Sequence, residues 1–369
     1  MTEYRVENKQ WMPPEWHVHR RCWMAWPSDD DQWPCGLERA AIAFAEITRA
    51  IARFEPVIVV VNPDQIESAK LHLGLSSRPA SAVSAVDDPI LYHPDRVTDL
   101  DAAPGIQLMP MALNDSWMRD IGPTFVFAGR QLAGVDWGFN GWGKFPHELD
   151  ALVAKNVLAA IGIERIESPI INEGGGIHVD GQGTVLLTES VQLNPNRNPG
   201  FSKADIEAEL RRQLGVQQCI WLPRGVVDDD TDGHIDELAC FVAPGKILAL
   251  ISDDPEDANY DILQTNLDIL QQAKDVNGQP FEVITIRQPP ARYLDGTRLS
   301  MSYVNFYIAN GGIVMPSYGE AEYDAEAKEM MQRCFPEYEI IQVNCLDIVV
   351  GGGNIHCITQ QEPQTEELT

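Results

Sequence analysis

Residues 351–359 read Gly-Gly-Gly-Asn-Ile-His-Cys-Ile-Thr, and residues 173–180 read Glu-Gly-Gly-Gly-Ile-His-Val-Asp. Both stretches consist of a glycine-rich bend followed by Ile-His at the start of a strand-like segment. This similarity indicates that one structural unit is repeated along the chain. The later copy carries Cys357, a potential nucleophile, where the earlier copy has Val179. The two stretches therefore predict a repeated fold and single out one thiol.

Strand-like segments recur as pairs joined by glycine-containing turns. The predicted pairs are 124–128 with 131–137, 176–180 with 185–190, 234–243 with 247–252, and 302–309 with 313–316. A fifth first strand, 355–360, has no partner after it, and a lone second strand, 21–27, lies near the N-terminus. We expect these two strands to pair and to close a ring.

Helical periodicity separates the strand pairs, with apolar residues at three- and four-residue spacing. The predicted helices cover 37–54, 147–160, 203–214, 256–274 and 320–335, with Ser202 as an N-cap of the third. Five units of two or three strands and a helix predict a five-bladed α/β-propeller in one domain. Its ordered core would span about 11–360, with a polar tail at 361–369. An open α/β sandwich is the alternative.

The composition limits the possible partners. The 369-residue chain has a formal net charge of −28, which argues against nucleic-acid binding and suits either a cationic substrate or simple solubility. Its N-terminus is too polar for a signal peptide, and its apolar runs are too short to span a membrane. Seven cysteines without a CxxC pair predict reduced thiols in a cytoplasmic protein, with no metal site.

Candidate catalytic residues come from separate units. Alternation in an extended strand would turn His356 away from the pocket that Cys357 faces, so the partner histidine must lie elsewhere. The remaining candidates are His234, Asp236, Glu173 and Asp120. Of these, His234 and Asp236 would share a strand face. Each of these residues alone also fits a structural role, as a buried thiol, a structural histidine or a turn carboxylate. Their placement at equivalent points of separate units favours convergence in a central pocket.

This set of side chains suits one kind of substrate. Acyl transfer needs donors that stabilise an oxyanion, and carboxylates do not supply them. A guanidinium instead presents N–H donors that carboxylates receive in pairs. The thiol would attack the guanidinium carbon, ammonia would leave, and water would hydrolyse the thiouronium adduct.

Several motifs resemble those of the agmatine deiminase family, in the guanidine-modifying (pentein) superfamily of five-bladed α/β-propellers. They lie at 22–27, 117–124, 173–175, 193–199, 233–236, 303–311 and 351–357, and the resemblance runs from about residue 11 to residue 360. It implies a hydrolase of linear amidines that converts agmatine to N-carbamoylputrescine and ammonia in polyamine (putrescine) metabolism.

The resemblance also implies roles for individual residues. Cys357 would form the amidino-cysteine intermediate, His234 would transfer protons, and Glu173 would orient His234. Asp120 and Asp236 would bind the guanidinium.

Further residues would complete the substrate site. Trp117 would line the pocket, Asp230 would lie near the far amine of the substrate, and Gly352 would let the backbone approach it. We expect no cofactor and no metal, and a homodimer.

The chain departs from many relatives at Gly176, where they carry serine, and at Glu237, where they carry asparagine. No Arg or Lys stands in the pocket motifs except Arg119, which alternation would turn away from Asp120. We therefore expect agmatine to be preferred to arginine. The alternatives are an enzyme acting on arginine or peptidyl-arginine, a polyamine-binding protein without turnover, and a cysteine-dependent amide hydrolase.

Overall fold

A computed structural model describes residues 10–28, 32–75 and 105–365. Its first strands are β1 (Gln10–Trp11), β2 (His19–Ala25), β3 (Val57–Val61), β4 (Ile106–Pro110), β5 (Thr124–Ala128), β6 (Gln131–Gly138), β7 (Glu164–Ile171), β8 (Ile177–Val179), β9 (Thr184–Thr188) and β10 (Gln218–Leu222). The later strands are β11 (Ala239–Ala243), β12 (Lys246–Ile251), β13 (Glu282–Arg287), β14 (Tyr293–Leu294), β15 (Thr297–Arg298), β16 (Tyr307–Ala309), β17 (Gly312–Ser317), β18 (Glu339–Asn344) and β19 (Thr359–Pro363). The helices are α1 (Leu37–Ile51), α2 (Ile66–Leu73), α3 (Met118–Ile121), α4 (Val153–Ile161), α5 (Glu189–Gln192), α6 (Lys203–Leu214), α7 (Tyr260–Gln272), α8 (Ala321–Cys334) and α9 (Leu346–Val349).

Four sheets share one plan, in which an antiparallel hairpin is followed by a helix and a parallel third strand. The hairpins are β5–β6, β8–β9, β11–β12 and β16–β17. Helices α4, α6, α7 and α8 then lead to β7, β10, β13 and β18, each parallel to the second strand of its hairpin. A helix is the usual connection between parallel neighbours. The predicted strand pairs and the helices between them are confirmed, and the fold is mixed α/β.

The fifth sheet joins the two ends of the chain. β19 pairs antiparallel with β2, and β2 is parallel to β3, which follows α1. The predicted pairing of the N- and C-terminal strands is therefore confirmed. The Glu362 carboxylate is buried in this sheet, where it accepts a hydrogen bond from Trp23 Nε1 at 2.8 Å and lies 3.2 Å from Arg21 Nε. The predicted tail at 361–369 thus starts too early, because these buried contacts extend β19 to Pro363.

Helix α6 follows local sequence rules closely. The Ser202 side chain accepts a hydrogen bond from the Asp205 N–H, and the Asp205 side chain accepts one from the Ser202 N–H. This reciprocal capping box begins the helix at the predicted residue. Gly215, in the left-handed conformation, ends it. The helix predicted at 147–160 instead begins at Val153, after a short 3-10 turn at Asp150–Leu152.

Four of the first strands are shorter than predicted: the strand predicted at 302–309 begins only at Tyr307, and the other three are β8, β11 and β19. Residues before them form compact bends: 3-10 turns at Gly174–Gly176 and Ile235–Glu237, and hydrogen-bonded turns at 355–358. The Thr359 N–H donates to the His356 carbonyl, and its hydroxyl donates to the Ile355 carbonyl, which closes the last bend. The residues expected to alternate along strands therefore lie outside extended backbone.

The apolar core lies between the sheets and their helices. All five residues of β3 are buried, and α1 covers the same cluster with Phe44, Ile47 and Ile51. Such a continuous apolar run is typical of a parallel strand covered on both faces. No helix within the described ranges combines the length and apolar character needed to cross a bilayer.

Removal of the buried carboxylate that joins the chain ends should destabilise the protein. We expect Glu362→Ala to lower the free energy of unfolding by about 3–5 kcal/mol, because it removes one partner of a buried ion pair. Glu339→Ala is the matched control, since Glu339 pairs with Arg53 on the surface and should cost less than about 1 kcal/mol. Urea denaturation measures both losses. Equal losses would contradict a special role for the closing strand.

Candidate active site

The five residues predicted to carry the chemistry are all buried, and each lies in a turn, short helix or irregular segment that precedes the first strand of a sheet. They are Asp120 before β5, Glu173 before β8, His234 and Asp236 before β11, and Cys357 before β19. Four different sheets thus supply the site. Because these segments contain the short helix α3 and compact 3-10 turns, they can direct side chains that are close in sequence toward a common place.

The alternation rule on which part of the prediction rested is wrong here. His234 and Asp236 do not share a strand face, because Asp236 lies in a 3-10 turn. His356 and Cys357 do not diverge, since His356 Nδ1 lies 2.8 Å and Cys357 Sγ lies 3.6 Å from the same oxygen, Asp236 Oδ2. Arg119 lies in the short helix α3, where strand alternation has no meaning.

Gly175 marks the place where three of the predicted side chains meet. A Cβ atom at this position would lie 2.5 Å from His234 Nδ1, 2.9 Å from Asp236 Oδ2 and 3.1 Å from Asp120 Oδ1. Its N–H donates a hydrogen bond to Asp120 Oδ1 at 2.9 Å. Only glycine leaves room for this approach between backbone and side chains. The structure therefore brings the imidazole and two of the carboxylates together.

His234 lies between two carboxylates. Its Nδ1 is 3.8 Å from Asp120 Oδ2, and its Nε2 is 3.5 Å from Glu173 Oε2. Burial alone would lower the pKa of His234, but Asp120, Glu173 and Asp236 together raise that pKa to about 9. Burial likewise opposes the charge of Glu173, yet His234 and Arg197 hold the pKa of Glu173 below its usual value. His234 is therefore an imidazolium at neutral pH.

Cys357 has polar neighbours on several sides. Its Sγ lies 3.2 Å from Asn305 Nδ2, 3.6 Å from Asp236 Oδ2 and 4.0 Å from Glu237 Oε1. Burial, followed by the charges of Asp236, Glu237 and Asp120, raises the pKa of Cys357 well above its usual value. The sulfur is therefore a thiol at neutral pH until the negative charge around it is compensated.

Several buried atoms of this site lack a hydrogen bond. Among the described residues, they include both ring nitrogens of His234, Asp236 Oδ1, Glu237 Oε2 and Glu173 Oε2. A buried polar atom without a hydrogen bond costs about 1–3 kcal/mol, so such atoms are rare in a folded protein. Their concentration here indicates a site whose carboxylate oxygens receive donors from a ligand.

The residues predicted to line the substrate lie around the glycine bend at 351–353. A Cβ at Gly353 would lie 2.6 Å from the Trp117 ring and 3.1 Å from Cys357 Sγ, which places the indole beside the sulfur. A Cβ at Gly352 would lie 3.3 Å from Asp230 Oδ2. Gly352 has φ +111°, a conformation that favours glycine. Asp230 itself is exposed, at the outer side of the bend.

Sequence reasoning missed three polar residues: Asn305 and Glu237, which contact the thiol, and Glu15, which contacts the neighbouring His356. Asn305 lies in a motif that assigns it no role, and Glu237 stands out in the sequence only as a departure from relatives. Glu15 contacts His356 but lies in no motif and had no signal at all. Adjacency to Asp236 could have pointed to Glu237, whereas only tertiary contacts reveal the other two.

Within the described part of the chain, two buried clusters bring potential metal-ligating atoms within 4.8 Å of one another. They are Asp236 with Glu237 and Cys357, and Glu15 with His178 and His356. In both clusters the atoms contact each other as hydrogen-bond or ion-pair partners. These mutual contacts account for the closeness of the atoms in each cluster.

A buried thiol, an imidazolium and several carboxylates at one place are typical of a cysteine-dependent enzyme that acts on a cation. The family described as Porphyromonas-type peptidyl-arginine deiminase matches residues 11–363. This chain belongs to that family.

Proteins similar to this chain carry a more specific name. Agmatine deiminase from Medicago truncatula is 40% identical over 387 residues, covering 95% of this chain and 96% of the relative. The structure of Enterococcus faecalis agmatine deiminase is similar with a TM-score of 0.85 and 33% identity, covering 98% of this chain and 99% of that one. A cysteine-to-serine variant of C. jejuni agmatine deiminase with substrate bound has a TM-score of 0.83 and 25% identity, covering 99% of both chains.

The ionisation state of Cys357 in the free protein can be measured directly. Because its neighbours are anionic, we expect the thiolate absorbance attributable to Cys357 to be absent at neutral pH. Titration of the difference spectrum between the wild type and Cys357→Ser isolates this one sulfur from the other six cysteines. A full thiolate signal at pH 7 would contradict the expected protonation.

Proposed function

We propose that this protein hydrolyses agmatine to N-carbamoylputrescine and ammonia through a covalent intermediate on Cys357. The observation that carries the proposal is the buried thiol among carboxylates that lack donors. Membership of the family and the likeness to agmatine deiminases over nearly the whole chain support it. Agmatine is a dication with a guanidinium at one end, and it supplies the donors and the positive charge that this site lacks.

Asp120 and Asp236 bind the guanidinium in this proposal. A guanidinium presents its N–H groups in a plane, and carboxylates accept them in charge-assisted hydrogen bonds. Asp236 Oδ1 has no other hydrogen bond, while Asp120 is held by Trp142 Nε1 at 3.0 Å and by the Gly175 N–H. The bound cation also offsets the negative charge that keeps Cys357 protonated, so the thiolate forms when substrate is present.

In the first half of the reaction, Cys357 Sγ forms a bond to the guanidinium carbon. The imidazolium of His234 protonates one amino group of the adduct, and the C–N bond breaks to release ammonia. The remaining carbon is a cationic thiouronium attached to Cys357. The raised pKa of His234 suits it to deliver this proton at neutral pH.

In the second half, water attacks the thiouronium carbon and His234, now neutral, takes a proton from it. The C–S bond breaks, Cys357 is restored and the carbonyl of N-carbamoylputrescine remains. Glu173, which Arg197 holds through a 2.7 Å hydrogen bond, orients His234 throughout. The proton that the thiol loses on substrate binding passes to the solvent and there converts ammonia to ammonium. One proton of the attacking water restores the His234 imidazolium and the other returns to the sulfur, so the two half-reactions balance.

The far end of the substrate distinguishes agmatine from arginine. Among the described residues, the Arg and Lys side chains near the site include Arg119, Lys144 and Arg197, and each of these contacts a carboxylate. Asp230, on the outer side of the glycine bend, suits the ammonium of agmatine and would repel the carboxylate of arginine. We propose the roles of Asp230, Gly352 and Trp117 on this basis.

The substrate can be tested by ammonia release from agmatine, arginine and a blocked arginine peptide. We expect kcat/KM for agmatine to exceed that for arginine by a factor on the order of 100 or more, because arginine brings an unpaired carboxylate to an acidic site. Cys357→Ser should abolish turnover while retaining agmatine binding. Cys345→Ser, a matched control at another buried cysteine, should keep turnover.

Each contrary result of this assay would favour a different function or mechanism. Comparable rates on arginine or on the blocked peptide would favour a deiminase with that substrate. Agmatine binding without ammonia release would favour a polyamine-binding protein. Turnover in Cys357→Ser would exclude the cysteine mechanism.

The pH dependence of kcat/KM should follow the two groups of the site that titrate nearest to neutrality. Burial, with Glu173 and Asp236 nearby, raises the pKa of Asp120 to about 6, so guanidinium binding should weaken as the pH falls through about 6. His234 should lose its proton as the pH rises through about 9. In Asp120→Asn, the acid limb should disappear and the alkaline limb should move to lower pH, because Asp120 is the main group that raises the pKa of His234. Unchanged limbs would contradict this assignment.

We also propose that the five sheets stand around one axis as the blades of an α/β-propeller within a single domain. The shared plan of the sheets, the pairing of β2 with β19 and the supply of the site by bends from four sheets support this arrangement. A homodimer remains a proposal that rests on the family resemblance alone.

A further inference from the structure

His356, the neighbour of the proposed nucleophile, contacts a carboxylate through each ring nitrogen. Its Nδ1 lies 2.8 Å from Asp236 Oδ2, and its Nε2 lies 2.8 Å from Glu15 Oε1. All three residues are buried. A neutral imidazole has only one N–H, so two short contacts with ionised carboxylates require the doubly protonated ring.

The surroundings of His356 support this charge state. Besides the two carboxylates, Arg119 and His178 face it, and both also contact Glu15, at 3.5 Å and 3.6 Å. Burial and Arg119 disfavour the imidazolium, but Glu15 and Asp236 outweigh them and raise the pKa of His356. Burial alone would raise the pKa of Glu15, but that pKa is held well below its usual value by His356, His178 and Arg119. Glu15 is therefore an anion.

His178 offers a comparison within the same molecule, because it occupies the position equivalent to His356 in the earlier glycine-rich stretch. Its Nε2 also lies near Glu15, but its Nδ1 accepts a hydrogen bond from the Phe241 N–H at 3.3 Å. The two rings are stacked with centroids 6.3 Å apart. Of these two buried histidines, His356 is the one that contacts Asp236.

We propose that His356, held by Glu15, is a positioning residue that keeps the Asp236 carboxylate ionised and correctly oriented for a cationic substrate. Its hydrogen bond occupies Asp236 Oδ2, the oxygen nearest Cys357, while Oδ1 remains without a hydrogen bond. The positive charge of His356 offsets the repulsion that Asp236 experiences from the neighbouring carboxylates. The nature of the cation rests on the proposed function, whereas the charge of His356 does not.

The charge of His356 can be measured without any substrate. In wild-type protein labelled with 15N-histidine, assigned by loss of one signal in His356→Asn, we expect both ring nitrogens of His356 to show imidazolium shifts at pH 7. In Glu15→Gln, which removes one of the two anions, the ring should titrate at a lower pH than in the wild type. A neutral His356 in the wild type at pH 7 would overturn the proposal.

The effect on the site can be measured by calorimetric titration of agmatine into the Cys357→Ser background, where no turnover occurs. We expect His356→Asn, which keeps an N–H donor but removes the charge, to weaken binding on the order of 10- to 100-fold. His178→Asn, the matched control, should change the Kd by less than about threefold. Thermal unfolding of each variant establishes that it is folded, and Glu15→Gln replaces His356→Asn should the latter not fold.

The outcomes separate this inference from the proposed function. Equal weakening by His356→Asn and His178→Asn, or none by either, would show that His356 does not position Asp236. If the Cys357→Ser protein with intact His356 did not bind agmatine, the substrate proposal would fail. The measured charge of His356 would then still show whether His356 is an imidazolium that keeps the Asp236 carboxylate ionised.

Discussion

Mutual repulsion between buried carboxylates is the constraint on which the rest of this structure depends. Several acidic side chains lie around one thiol, and each would lose its charge if burial acted alone. Buried cations lie between these carboxylates and offset their negative charge. The cations are His234, His356, Arg119 and Arg197, and the carboxylates are Glu15, Asp120, Glu173 and Asp236.

The cations do not offset all of the negative charge of the site, and this suits the binding of a cationic substrate. Glu237 has no cationic partner among these contacts, and burial beside Asp236 and Asp229 raises its pKa well above the usual value. Burial, together with the same excess of negative charge, raises the pKa of Cys357 and keeps it protonated. A substrate that brings positive charge would complete the balance, and the nucleophile would ionise only when such a substrate is bound. A thiol that is protected in this way reacts little with other electrophiles.

The fold delivers these groups through bends rather than strands. Each hairpin begins just after a compact turn, and the turns from four sheets meet near Gly175 and the glycines at 351–353. Hydrogen bonds within the turns, such as those of Thr359, fix the direction of the side chains that they carry. Rigid sheets behind the turns then hold the site in place, which is what preorganised catalysis requires.

The amino-acid sequence by itself determined the hairpins, the five helices between their strands and the pairing of the chain ends, because hydrophobic periodicity and glycine turns are local signals. It also pointed to Cys357 and to residues that the structure places beside it. Only the tertiary structure decided that His356 contacts Asp236 and that Asn305 contacts the thiol. It alone also decided that Glu15 contacts both His356 and His178. These contacts join residues 52 to 341 positions apart. Strand alternation could not anticipate them, because the backbone there forms compact local turns and the partners come from distant parts of the chain.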